Sequence, residues 1–269
     1  MTHAGKTVLV TGAGGSIGSE ICRQVAAQKP ARLLAFDNSE IALYNIDREL
    51  TVTPILGDVS SYVDVQEIFC ARNVDVVYHA AAYKHVTMVQ KNLRVAERVN
   101  VRGTRLVASL ARRYQVPSMV LVSTDKAVEP TCVMGETKRL AEDIVRAIGY
   151  TVVRFGNVTN SSGSVLPLFE EQLRAGGPLT VTHPSVTRYF MSIKQAAGLA
   201  ITASAFPPGT YVLDMGEPVK IDDLARAMVA GTDIKIKYIG LRPGEKMHEK
   251  LFRGFTRRTD HPGILEDIA

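Results

Sequence analysis

Thr7-Val8-Leu9-Val10-Thr11-Gly12-Ala13-Gly14-Gly15-Ser16-Ile17-Gly18 is the stretch on which the fold turns. It opens with a short apolar, β-branched run closed by a glycine cluster, which reads as a buried strand over Thr7–Val10. A helical pattern over Ser16–Gln28 follows at once. Between them, Gly12, Gly15 and Gly18 leave room for a tight turn, for close approach of a pyrophosphate and for close helix–strand packing. The helix start, Ser16 and Ile17, then offers backbone N–H groups to phosphate oxygens. A glycine pattern alone is weak evidence, but this one is flanked correctly on both sides.

Working outward, Arg32–Phe36, Val52–Leu56, Val74–Tyr78, Met119–Val122 and Thr151–Phe155 read as further strands. Helical patterns, including Val95–Tyr114 and Met134–Ile148, fall between them. Apolar strands alternating with helices predict an α/β fold, a doubly wound parallel sheet covered on both faces, with right-handed crossovers. After Phe155 glycine and proline become frequent, as in Gly176-Gly177-Pro178 and Pro207-Pro208-Gly209. Shorter elements follow: helices near Lys194–Ala205 and Ile221–Ala230, and strands at Tyr211–Leu213 and Ile234–Ile239. The expectation is a dinucleotide-binding domain over residues 1–155 and a smaller substrate-binding lobe over 156–269, the two exchanging segments.

Open α/β sheets bind ligands at the carboxyl ends of their strands. Gly12, Asp37, Asp58, Ala80 and Ser123 should gather there. Asp37 closes the second strand, where a carboxylate accepts both adenosine ribose hydroxyls and repels a 2′-phosphate, which favours NAD over NADP. Asp58, followed by Val59, is either an adenine contact or the cap of the next helix. The small residues Ala80, Ala81 and Ala82 let backbone lie flat against the cofactor, and His79 before them reads as a satisfied strand-end histidine. Asn100, on the helix that crosses beneath, is placed to support a strand end by hydrogen bonding.

Ser123-Thr124-Asp125-Lys126 ends the strand Met119–Val122, and Met134-Gly135-Glu136-Thr137-Lys138 opens a helix. Together they bring a hydroxyl, a carboxylate and two amines to one strand end. Met134, one turn before Lys138, neither gives nor takes a proton and is equally readable as packing. Acid–base work therefore falls to Thr124, Asp125 and Lys126. Cys132 reads as structural.

Composition narrows the class. With 46% apolar and 22% charged residues the chain is an ordinary globular one. The net charge of +5 is spread along the sequence, so it implies mild attraction for anions and no nucleic-acid footprint. Three cysteines without CxxC spacing argue against a disulfide framework or a zinc site, and for a reducing compartment. No run approaches the ~18 apolar residues of a membrane span, and the first strand begins too early for a signal peptide. The chain is expected to be cytoplasmic, with a membrane anchor on a longer parent chain left open.

The glycine loop, Asp58, Ala80–Ala82, Ser123 and Lys138 resemble the extended short-chain dehydrogenase/reductase superfamily, whose fold is Rossmann-like. Longer motifs narrow this: Asp37-Asn38-Ser39-Glu40, His79 to His85, Ser123 to Val128, Gly156-Asn157-Val158, Thr187 to Met191 and Gly240-Leu241-Arg242-Pro243-Gly244-Glu245-Lys246. These resemble the polysaccharide-biosynthesis nucleotide-sugar dehydratases, the UDP-N-acetylglucosamine 4,6-dehydratases of surface-glycan pathways. Most of the superfamily carries Tyr where Met134 stands, and Met134 is similar to a dehydratase branch with Met there. Relatives show Pro at Thr87 and Glu at Gln90, near the expected sugar pocket. Many relatives also carry an N-terminal membrane region and an extra domain, which this sequence does not show.

The resemblance implies a bound NAD, a UDP-sugar substrate and a homo-oligomer built through a helix pair. It also implies transient oxidation of hexose carbon 4, which makes the carbon-5 proton removable and lets water leave across carbons 5 and 6. Lys126 is then the base at carbon 5, its pKa lowered by burial, by Lys138 and by the nicotinamide charge. Asp125 is the acid for the leaving hydroxyl, Thr124 orients the carbon-4 hydroxyl, and Lys138 holds the nicotinamide ribose. The acceptor of the carbon-4 hydroxyl proton stays open between Asp125 and Lys126. Lys84, Asn157, Arg188 and Arg242 are candidates for the substrate diphosphate, with Arg188 and Arg242 suited to bidentate contact. His85 either lines the sugar pocket or packs. Two other readings remain: an epimerase, which returns the hydride to carbon 4, and a non-catalytic sensor of NAD or nucleotide sugar.

Overall fold

Thr7–Thr11 (β1) is buried beyond its first residue because strands on both sides and helices on both faces cover it. Its side chains alternate between two cores. Val8 and Val10 join one apolar cluster, and Leu9 joins another on the opposite face. The structure is a computed structural model that describes residues 2–161 and 163–268.

Arg32–Asp37 (β2), Thr53–Leu56 (β3), Val76–His79 (β4), Ser118–Val122 (β5), Thr151–Arg154 (β6) and Thr210–Leu213 (β7) run parallel to β1. Thr256–Arg258 (β8) and Ile264–Asp267 (β9) add an antiparallel edge. The order across the sheet is β8-β9-β7-β6-β5-β4-β1-β2-β3. The expected α/β, mostly parallel, Rossmann-like sheet is therefore present. The strand order reverses beside β1, between β2 and β4, the switch point where such sheets open a crevice at their carboxyl ends. Pro54 fits because β3 is the free edge, where a missing N–H breaks no ladder.

Helices Ser16–Ala26 (α1), Glu40–Glu49 (α2) and Tyr62–Ala71 (α3) link the first strands. Val86–Lys91 (α4) and Leu93–Ala96 (α5) precede Thr104–Arg113 (α6), and Val133–Ile148 (α7) joins β5 to β6. The single helix expected over Val95–Tyr114 is broken by a π-helical turn at Glu97–Gly103. Gly103 closes this turn against α3's entry: a Cβ there would lie 3.1 Å from Val59 Cγ2, so any side chain would have to push Val59 aside. Asn100 within the turn has its side chain bonded to the Tyr83 backbone.

Residues beyond β6 form a third small core around Phe169, Leu179, Val181, Val186 and Ile221. It lies between Val165–Arg174 (α8), Ile221–Val229 (α10) and short strands such as Leu179–Val181. Ile193–Ala203 (α9) packs beside α1 on the main sheet, and β7 to β9, from the same part of the chain, extend that sheet.

Candidate active site

The glycine loop is as tight as its pattern suggests. Gly12 has φ +68, and a Cβ on it would meet Ala81 N at 2.7 Å. A Cβ on Gly18 would sit 1.9 Å from Gly12 O, so helix and loop touch backbone to backbone. Gly15 is different: its Cβ would meet only Gly12 O, at 3.3 Å, and otherwise faces open space. Gly15 is the N-cap of α1 and supplies no side chain to the first N–H groups. This cradle suits a pyrophosphate at Gly15, Ser16 and Ile17.

Asp37 braces the loop. Its Oδ2 accepts from Gly14 N at 2.8 Å and its Oδ1 from Ser39 N at 2.9 Å. Asp58 Oδ1 accepts from the N–H and hydroxyl of Ser60, forming the turn before α3, which Ser61 caps. Val59 is buried beneath. Ala80 and Ala81 lie against Gly12, and Ala82 is half-buried. Asn100 clamps the next residue on: its Oδ1 accepts from Tyr83 N at 2.8 Å and its Nδ2 donates to Tyr83 O at 3.0 Å and Thr137 Oγ1 at 3.0 Å. His79 is held between Thr11 and Thr104 hydroxyls, and burial, with Lys138 adding to it, pushes its pKa down to about 3. It is a neutral structural histidine.

The acid–base group forms at the end of β5. Thr124 caps the short turn Asp125–Ala127 and donates to Asp125 Oδ1 at 2.9 Å. Asp125 is fully buried, and Lys126 Nζ donates to the same oxygen at 2.9 Å. Asp125 Oδ2 is buried and makes no hydrogen bond. Asn157 Oδ1 accepts from Lys126 Nζ at 3.4 Å. Glu249, which sequence reasoning missed, brings Oε1 to 3.5 Å from the same amine.

The charge state of Lys126 corrects an expectation. Burial lowers its pKa, but Asp125 and Glu249 outweigh burial, and the net shift is upward despite Arg188 nearby. Lys138 is the lysine that burial does depress, to about 8, with Glu142 opposing the shift. Its Nζ donates to Val122 O at 2.7 Å. Ser123 turns its hydroxyl inward to Glu142 at 2.6 Å, within a buried network that continues to Arg154 and Asp267. Met134 is buried with Val89 and Ala96, so it packs. Cys132 caps α7.

The anion candidates divide. Arg188 is buried near Lys126, bonded to Thr187 O and Met247 O and paired with Glu245 at 3.0 Å. Arg242 and Lys84 are exposed, and neither side chain bonds to the Lys126 cluster. Loss of water around the Lys84 amine still lowers its pKa. His85 is exposed at the start of α4, its pKa lowered by desolvation and then by Lys84. The segment with Glu249 is fastened over the turn: Lys246 Nζ donates to Val128 O at 2.6 Å, and Thr131 donates to Gly244 O at 2.9 Å. The only hint of this in the sequence is Lys246 and Glu249 three apart, with no period to say which way they face.

No helix among the described residues is long and apolar enough to cross a membrane, and no group of His, Cys, Asp and Glu among them could hold a metal ion. Residues 8–266 match the family described as "Polysaccharide biosynthesis protein". The chain is 45% identical over 268 residues to the capsular polysaccharide biosynthesis protein CapD of Staphylococcus aureus, covering 91% of this chain but 45% of that relative, so it spans less than half of that protein. It is 35% identical to a UDP-glucose 4-epimerase of Rickettsia canadensis, covering 91% of this chain and 77% of that one. Among solved structures, Pen from Bacillus thuringiensis superposes with a TM-score of 0.90 at 33% identity, over 99% of this chain and 89% of that one.

Proposed function

Because the chain belongs to the polysaccharide biosynthesis protein family, we propose that it is an NAD-dependent nucleotide-sugar 4,6-dehydratase acting on UDP-N-acetylglucosamine. The observation that carries this reading is the pairing of buried Asp125 with half-buried Lys126 beside Thr124, with Met134 withdrawn into an apolar cluster. Epimerisation at carbon 4 needs no base at carbon 5, whereas elimination of water needs a base there and an acid at carbon 6.

The chain's residues fit the cofactor. Gly12, Gly15 and Gly18 would cradle the pyrophosphate, Asp37 would meet the adenosine ribose, and Ala80 to Ala82 would lie along the ring. The preference for NAD over NADP rests on Asp37. When bound, NAD supplies a reversible hydride acceptor for carbon 4. Lys138, mostly cationic near neutrality, would hold the ribose and add positive field. Thr124 orients the carbon-4 hydroxyl while its own proton points to Asp125. Asp125 receives the carbon-4 hydroxyl proton through Thr124, which is bonded to its Oδ1, and passes that proton to the leaving carbon-6 hydroxyl, which departs as water. Lys126 releases its resting proton to solvent, which an added positive charge beside it favours, then takes the carbon-5 proton and returns one to carbon 5 after water has left. Positioned groups of this kind typically contribute ~10²–10⁴-fold each. Arg188 and Asn157, with Lys84 and Arg242 from the rim, meet the diphosphate.

One observation favours a second reading. The epimerase relative matches nearly the whole of this chain, and an epimerase would use the same 4-keto state. Incubating the purified protein with UDP-N-acetylglucosamine and NAD, and following mass, separates them. Loss of one water from the nucleotide sugar is expected. An unchanged mass with an inverted carbon-4 hydroxyl would replace the proposal with the epimerase, and no product from any UDP-hexose would leave a sensor.

A further inference from the structure

We propose that Glu249 is a positioning residue for Lys126: this second carboxylate, 3.5 Å from the amine, fixes its direction and keeps it protonated in the resting site. The inference rests on the reading of Lys126 as the proton-transfer amine, and adds a second carboxylate that acts with Asp125 on its charge.

The geometry carries it. Glu249 is 7% exposed, far below what an unpaired surface carboxylate shows, so its charge needs a partner inside the protein. Two amines face it: Lys126 Nζ at 3.5 Å from Oε1 and Lys246 Nζ at 3.5 Å from Oε2. Lys246 is already spent on the Val128 carbonyl at 2.6 Å. Glu249 Oε2 makes no hydrogen bond. The carboxylate is thus held in place by charge, between Lys246, anchored on the Val128 carbonyl, and Lys126.

The groups around Lys126 come from several segments. Asp125 lies in its own turn at 2.9 Å, Asn157 faces it from the short strand Asn157–Val158, and Arg188 opposes the two carboxylates with a like charge. Asp125 alone sits next to Lys126 in sequence and can hold only one side of the amine's hydrogen-bonding capacity. With Glu249 added, the site carries two carboxylates, whose pull on the proton outweighs the opposing effect of burial. A lysine so held enters the reaction as an ammonium and gives up its proton only when a further positive charge enters the site.

Competitive labelling with an amine-reactive anhydride across the alkaline range, read peptide by peptide by mass spectrometry, gives the pH at which Lys126 half-deprotonates. The measurement needs no substrate, so it stands whether or not the protein turns over a sugar. In the wild type the Lys126 midpoint is expected above that of exposed lysines such as Lys235. In Glu249→Gln it should fall by about one unit or more, the scale of losing one close opposite charge, while Lys235 does not move. Glu249→Asp keeps the charge but draws it back, and its midpoint should lie between the two. That variant also serves if Glu249→Gln does not fold. An unchanged Lys126 midpoint in whichever variant folds overturns the proposal, as does a wild-type midpoint at or below that of Lys235.

Discussion

Lys138 sits 8% exposed with its amine on the Val122 carbonyl, and its pKa falls from an ordinary 10.5 to about 8 because burial penalises the charge more than Glu142 repays it. The sign of the linkage follows. Below about pH 8 both folded and unfolded chains hold the proton, and the folded state bears the full cost of a buried ammonium. Between about 8 and 10.5 the folded chain sheds the proton before the unfolded one, so unfolding free energy rises with pH across that window, by roughly 3 kcal/mol from this residue. Urea unfolding of the wild type and of Lys138→Met should therefore show a gap favouring the methionine variant at neutral pH. That gap should shrink steadily toward pH 10. A gap independent of pH would mean that Lys138 is not buried as a charge. At this scale Asp125 and Lys126 were legible because they are neighbours in the chain and end an apolar strand. Glu249 was not, because nothing local says that a carboxylate so far along the sequence returns to the same amine. The raised pKa of Lys126 was illegible for the same reason.

In the loop–helix element made by β1 and α1, the glycines do different jobs, and substitution separates them. Gly18→Ala would drive a methyl to within 1.9 Å of Gly12 O, so the loop must open. The expected cost is ~1–3 kcal/mol of stability together with loss of dinucleotide binding. Gly15→Ala meets only Gly12 O at 3.3 Å and has an ordinary extended conformation, φ −73. It should change stability by less than about 0.5 kcal/mol yet weaken NAD binding about tenfold or more, because the methyl stands where a phosphate approaches. Chemical denaturation and fluorescence titration with NADH check the pair, and equal effects on both properties would refute the division of labour. The element itself was plain in the sequence, since strand, glycines and helix follow one another without a gap. The π turn at Glu97–Gly103 was not plain, because apolar spacing continues through it. At that turn Asn100 reaches out to Tyr83 and Gly103 lies against Val59, contacts with distant parts of the chain that no local pattern encodes.

Across the whole molecule, the last strand is tied to the site through one buried arginine. Arg154 pairs with Glu142, which also takes the Ser123 hydroxyl, and with Asp267 in β9. Asp267→Ala leaves that guanidinium short of one counter-charge in the interior, with Glu142 still present. A loss of about 3 kcal/mol is expected, the low end for a buried pair broken from one side, read from the urea midpoint. A loss below about 0.5 kcal/mol would show that β9 is held by its ladder alone. The chain by itself determined the alternation of strand and helix, the dinucleotide cradle and the Thr124-Asp125-Lys126 run, because periodicity, turn chemistry and sequence adjacency act over a few residues. Tertiary structure alone decided that Glu249 faces Lys126, that Ser123 points inward and that Arg188 is latched to Glu245. Charges and hydrogen bonds act through space, and only the folded chain sets those distances.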